Sequence, residues 1–109
     1  MLKVYTAQVG KYHKLDGLDV TVQAGELAFA PSWDLVWSWK KRKVSQKEYT
    51  EQYTALMRKS YIDNRYIWDD ILSVDRIVLL CYCLKNSFCH RYILASILVK
   101  LGAEYMGEI

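Results

Sequence analysis

The sequence predicts an α/β fold: one small three-layer domain over residues 1–109, with a mostly parallel sheet and helices on both faces. Three observations predict it. Arg76–Leu98 reads RIVLLCYCLKNSFCHRYILASIL, an apolar β-rich run, a polar loop and an apolar helix in succession. A second strand-like segment, Ala103–Ile109, follows that helix, and a strand–helix–strand stretch of this kind closes as a right-handed parallel unit. The chain also opens on alternating β-formers, Leu2–Thr6, so the sheet gains a strand from its N-terminal end.

The elements follow in order. Leu18–Val22 reads as a second strand after the turn-rich loop His13–Gly17. Pro31 stands just before a helix, where its missing N–H is no loss, and Ser32 can cap. Trp33, Val36, Trp37 and Lys40 then share a helical face, with Leu35 and Trp39 beside it. Lys40–Lys43 closes that helix and complements its negative end. Ser45-Gln46-Lys47-Glu48 is a capping box. Tyr49, Tyr53, Leu56, Met57 and Tyr61 follow at helical spacing, so the helix runs to about Tyr61. Arg65–Leu72 reads as a short third helix. Asp75–Cys83 reads as a strand buried on both faces. Cys89–Leu101 is helix, stopped by Gly102.

Composition narrows the functional classes. The chain is 52% hydrophobic and 14% aromatic, enough for a packed core and for some rings on a surface that a partner covers. A net charge of +3 permits contact with a nucleotide or nucleic acid without demanding it. The longest apolar run, Ile77–Leu84, is far short of the roughly 20 residues of a membrane span. Met1–Gln8 lacks a signal-peptide pattern, and the three cysteines are an odd number, so a reducing cytoplasm is expected.

Chemistry concentrates where the late strand ends and the last helix begins. Ligand sites of α/β sheets lie at the C-terminal ends of the strands, and a helix start offers N–H groups and partial positive charge. Thr6, Gln8, Gln23, Cys83, Asn86 and Ser87 converge there with Cys89, His90 and Arg91. By the same geometry the basic run Lys40–Lys43 points away from the crevice.

These residues resemble a known family. A strand ending Leu79-Leu80-Cys81, a seven-residue gap, and Cys89-His90-Arg91 on a helix are similar to the hallmark of the domain-of-unknown-function 488 family. Ala28–Trp33 also looks like the middle region of its short, phage- and plasmid-associated members. The resemblance implies a small α/β domain with a thiol site and no agreed reaction. Where some members carry a glutamate, this chain has Cys83.

Three functional readings stay open. In the first, the crevice binds an anionic ligand such as a nucleotide or nucleic-acid fragment. Arg91 would grip it with the helix N–H groups, beside Asn86, Ser87, Cys81, Cys83 and Thr6. In the second, Cys89 is a nucleophile made acidic by the helix start, with His90 as activator. In the third, the domain is an interaction module without chemistry, for instance a homodimer burying Tyr and Trp. Arg91 could also pair with an acid such as Asp19 and merely hold the helix to the sheet. An oxyanion-cradling loop needs Cys and Arg with five residues between them, and neither Ser87 nor Cys89, six after Cys81 and Cys83, is Arg. Cys83 and Cys89 flank a loop short enough for a disulfide. Cys81, Cys83, Cys89 and His90 number the four ligands that zinc wants. However, Cys81 and Cys83 share a side only if the strand stays regular, and adjacent helical residues point about 100° apart. The sequence therefore assigns neither a metal nor a cofactor.

Overall fold

In the computed structural model, residues 1–21, 25–83 and 87–109 are described. The strands are β1 (Lys3–Gln8), β2 (Gly17–Asp19), β3 (Arg76–Cys81) and β4 (Glu104–Glu108). The helices are α1 (Trp33–Lys40), α2 (Gln46–Asp63), α3 (Arg65–Ser73) and α4 (His90–Lys100). The strands form one sheet in the order β2-β3-β1-β4, and every pairing is parallel, so the expected α/β class holds.

Parallel pairing needs a long return between partners, and the helices supply it. Ser32 caps α1 by accepting from the Leu35 N–H. The capping box at Ser45 forms in full: the Ser45 hydroxyl accepts from Glu48 N–H, and the Glu48 carboxylate accepts from Ser45 N–H. Gly102 follows α4 with φ +108°, a left-handed conformation that suits glycine at a helix end.

The strand period of two sorts β1 and β3 into two faces. Leu2, Val4, Ile77 and Leu79 point into a core with Leu35 of α1, Tyr49, Tyr53 and Met57 of α2, Trp68 of α3, and Leu94 and Leu98 of α4. Val78 and Ala7, of opposite parity, are also fully buried. On their side Arg76 stacks on Tyr5 and bonds Asp16, and Asp16 accepts a hydrogen bond from Tyr12. The loop between β1 and β2 thus folds over that face.

Two local departures set up the site. β3 ends at Cys81, so Tyr82 and Cys83 leave the expected strand and start the turn toward α4. Between β1 and β4 the register shifts: Val4 pairs with Tyr105 but Tyr5 pairs with Gly107. Gly107 has φ +113°, which lets the extra residue of a bulge sit there. The shift brings Glu108 opposite Thr6, on the face that α4 covers.

No helix among the described residues is long and apolar enough to cross a membrane. On α1 the buried residue is Leu35, whereas Trp33 and Trp37 are about half exposed. The helical face that Trp33 and Trp37 share therefore points away from the core.

Candidate functional site: a sulfur cluster under an aromatic cavity

The turn after β3 and the start of α4 bring all three cysteines together. Their Sγ atoms lie within 4.8 Å of one another, and all three are free thiols. Cys81 continues the inward parity of Ile77 and Leu79 and is buried. Its Sγ lies 3.9 Å from that of Cys83, although the chain has already left the strand. Cys89 is the N-cap of α4, not its first helical residue, and its backbone is extended (φ −157°, ψ 147°). The 100° separation expected for neighbours on a helix therefore does not apply. The Cys89 sulfur sits 3.8 Å from His90 Nδ1, and the Cys81 sulfur 3.9 Å from the same nitrogen.

The other ring nitrogen fixes the state of His90. Nε2 lies 2.6 Å from the carbonyl oxygen of Val20. A carbonyl only accepts, so Nε2 carries the proton, and in the neutral ring Nδ1 presents its lone pair to the sulfurs. The segment presenting Val20 is itself held. Asp19 Oδ1 accepts from Thr21 N–H, and Gly25 N–H donates to Thr21 C=O. A Cβ at Gly25 would come within 2.5 Å of the Asp19 carbonyl oxygen and the Thr21 nitrogen, so only glycine fits without displacing the backbone behind His90.

Arg91 is fully buried and anchors the cluster from behind. Its Nε and Nη2 donate to the two Glu108 oxygens at 3.3 and 2.9 Å, and Nη1 donates to the Cys83 carbonyl at 3.0 Å. The acid partner is thus Glu108, not Asp19, because the β4 bulge turns Glu108 toward α4. Burial would raise the Glu108 carboxyl, but hydrogen bonds from Arg91 and Thr6 and the Arg91 charge outweigh it and lower its pKa.

The sulfurs are unequal. Hydrogen bonds from Cys81 and Cys89, helped by the Arg91 charge, push the Cys83 thiol well below its ordinary value. Cys89 is pushed up, because its proton serves those sulfur contacts and because it is buried. Negative charge in the cluster therefore settles on Cys83, the half-buried member, and not on Cys89, the residue the helix start had suggested.

Above the cluster opens a cavity of about 190 Å³. Cys81, Cys83, Cys89 and His90 form its sulfur end. Trp33, Trp39, Tyr49, Tyr82 and Phe88 supply its aromatic walls, with Thr21, Pro31, Val36 and Lys40 completing the lining. Trp39, Tyr49 and Phe88 pack ring to ring at 4.7 to 5.9 Å, which fixes the wall. Lys40 belongs to the cavity, so the basic run does not point wholly away from it as its helix-end position had implied.

The remaining candidates divide. Thr6 is fully buried, with Oγ1 bonded to the Tyr105 hydroxyl at 2.6 Å, and it does not line the cavity. Gln8 donates to the Tyr82 carbonyl near the cavity rim. Ser87 lines a shallower neighbouring depression with Gln46, Phe88 and Tyr92. Asn86 and Gln23 lie outside the described residues. The aromatic walls and Glu108 were not legible as site residues. Tyr49 reads as part of a helical apolar stripe and Trp39 only as a neighbour of the α1 face, and the bulge that aims Glu108 has only Gly107 as its signal.

A buried imidazole that turns Nδ1 to two of three clustered sulfurs, beneath an aromatic slot, can hold a flat group in place and act on it, or on a soft ion, through sulfur. A family model described as DUF488-N3a, the active DUF488-N3 subclade, matches residues 12–102. Neither the curated proteins nor the solved structures contain a significant match.

Proposed function

The chain belongs to the DUF488 family, and on that premise we propose that the aromatic cavity at the start of α4 is a ligand pocket for a planar, anionic molecule of the nucleotide class. The observation that carries this reading is the pairing of aromatic walls with a polar floor in one cavity of about 190 Å³. Pockets that enclose a whole drug-sized ligand run to about 300 Å³ or more, so this one suits a single ring system. Rings between Trp and Tyr faces gain stacking energy, whatever their hydrogen-bonding pattern. The charged part of the ligand would stay outside the slot, within reach of Lys40 and the α4 start.

Of the two roles the sequence leaves open for Arg91, the structural pairing has the support. Glu108 and the Cys83 carbonyl occupy its guanidinium, so it is a positioning residue for the floor and not the anion clamp. The anion contact falls to Lys40 and to backbone N–H groups.

Thermal shift and calorimetry with nucleosides and nucleoside phosphates test the reading. Nucleotides should raise Tm more than the matching nucleosides. The increment should shrink in Lys40→Gln, and most of the total effect should vanish in Trp33→Ala, whose ring is half exposed and outside the buried core. A panel that shifts wild type no more than Trp33→Ala overturns the proposal.

A further inference from the structure

The sulfur cluster has a property that ligand binding alone does not require. We propose that Cys81, Cys83, Cys89 and His90 Nδ1 form a binding site for a tetrahedral thiophilic divalent cation, zinc by its ligand set.

The argument is geometric. Tetrahedral zinc with Zn–S bonds near 2.3 Å sets its sulfurs about 3.8 Å apart, and a nitrogen ligand about 3.6 Å from each sulfur. The Cys81–Cys83 separation is 3.9 Å, and His90 Nδ1 lies 3.9 and 3.8 Å from Cys81 and Cys89. The three sulfurs fall within 4.8 Å of one another, so they close on an ion by contractions of about 1 Å or less, and His90 Nδ1 approaches from the Cys81–Cys89 side. Three thiolates and one imidazole are a structural-zinc donor set, and their softness disfavours magnesium and calcium.

The supporting shell fits as well. A metal-binding histidine ordinarily gives its other N–H to a carbonyl or carboxylate, which fixes the tautomer and the ring. His90 does this with Val20, at 2.6 Å. Three thiolates on a divalent ion leave one net negative charge, and Arg91 stands beside it, bonded to the Cys83 carbonyl. The spacing that weakens a zinc reading of the sequence is overcome by two local facts: the chain turns after Cys81, and Cys89 caps the helix without joining it. Each cysteine that binds releases its thiol proton to solvent, and no oxidant or reductant is involved.

Cobalt titration of reduced, metal-stripped protein under argon tests the site with the metal alone. We expect the intense visible bands of tetrahedral, thiolate-ligated Co²⁺, saturating at one ion per chain, bleached by Zn²⁺, with proton release and a rise in Tm. His90→Gln should keep cobalt binding but weaken it and shift the bands. Cys81→Ala should weaken binding by more than the roughly 10- to 100-fold typical of losing a supporting group. Should Cys81→Ala fail to fold, Cys83→Ser at the half-buried position serves in its place. The proposal is overturned by folded wild type that gives only the pale octahedral spectrum, or by variants that bind as wild type does. No nucleotide enters this experiment, so its failure leaves the ligand reading standing, and the reverse also holds.

Discussion

Two buried polar groups in this domain are built in opposite ways. One lies where α2, α3 and the segment before α1 meet. There the Ser60 hydroxyl donates to the Ala28 carbonyl at 2.6 Å and accepts from Trp68 Nε1 at 3.1 Å and Asn64 Nδ2 at 3.3 Å. The Tyr53 hydroxyl donates to the Phe29 carbonyl at 2.6 Å. The other is the sulfur cluster, with side-chain contacts of 3.8 to 3.9 Å, while short bonds go to the backbone: His90 to the Val20 carbonyl and Arg91 to the Cys83 carbonyl. The first group is neutral, saturated and enclosed, and it ties a loop to a helix. The second consists of weak donors and acceptors, carries an uneven charge and opens into a cavity. Strong, complete hydrogen bonding specifies a fold, whereas loosely satisfied sulfur at a cavity floor is available for a ligand.

Stability should follow that division. Trp68 is fully buried and meets Phe29 and Tyr61 edge to face. Trp68→Ala should cost about 3–5 kcal/mol in urea unfolding, the range for deleting a core tryptophan. Cys81→Ala, also in the core, should cost only about 1 kcal/mol in metal-free protein, since little apolar volume and no strong hydrogen bond is lost. Equal costs would erase the distinction between the two groups.

The Arg91–Glu108 pair lies between these extremes and adds a pH dependence. Removing one partner of a buried pair leaves a charge uncompensated, so Glu108→Gln should cost about 3 kcal/mol at neutral pH. The Glu108 pKa is lowered in the folded protein, below its ordinary 4.5. Its contribution is therefore fully present above that value and is lost as pH falls through it toward the folded pKa. Wild type should lose stability over that acid range more steeply than Glu108→Gln. Parallel curves for the two proteins would mean that the pair is not coupled to folding.

The sequence carried the scaffold well because its signals are local. The Ser45 capping box, the Gly102 stop and the alternation of Leu2–Thr6 each act over a few residues, and each element forms close to where they indicate. The site was legible as a neighbourhood but not in its roles. Cys81, Cys83, Cys89 and His90 do gather at the strand-to-helix turn, as their clustering suggested. Arg91, by contrast, reads equally as an anion clamp or as the partner of an acid, and which acid it meets depends on a register shift across two distant strands. The burial of the α1 face is open for a related reason. Trp33 and Trp37 recur at helical spacing, but whether such a stripe meets the core or a cavity is settled by what packs on the helix.

Alkylation of metal-free, reduced protein bears on the central claim most directly. That claim makes the sulfur floor of the aromatic cavity the functional end of the molecule. Cys83 is the half-buried sulfur and the one whose thiol is pushed down, so iodoacetamide should label it well before Cys81 and Cys89. Excess nucleotide should then slow that labelling in wild type but not in Trp33→Ala, read by mass spectrometry of the peptides. Preferential labelling of Cys89, or a Cys83 rate unchanged by every nucleotide tried, would contradict it.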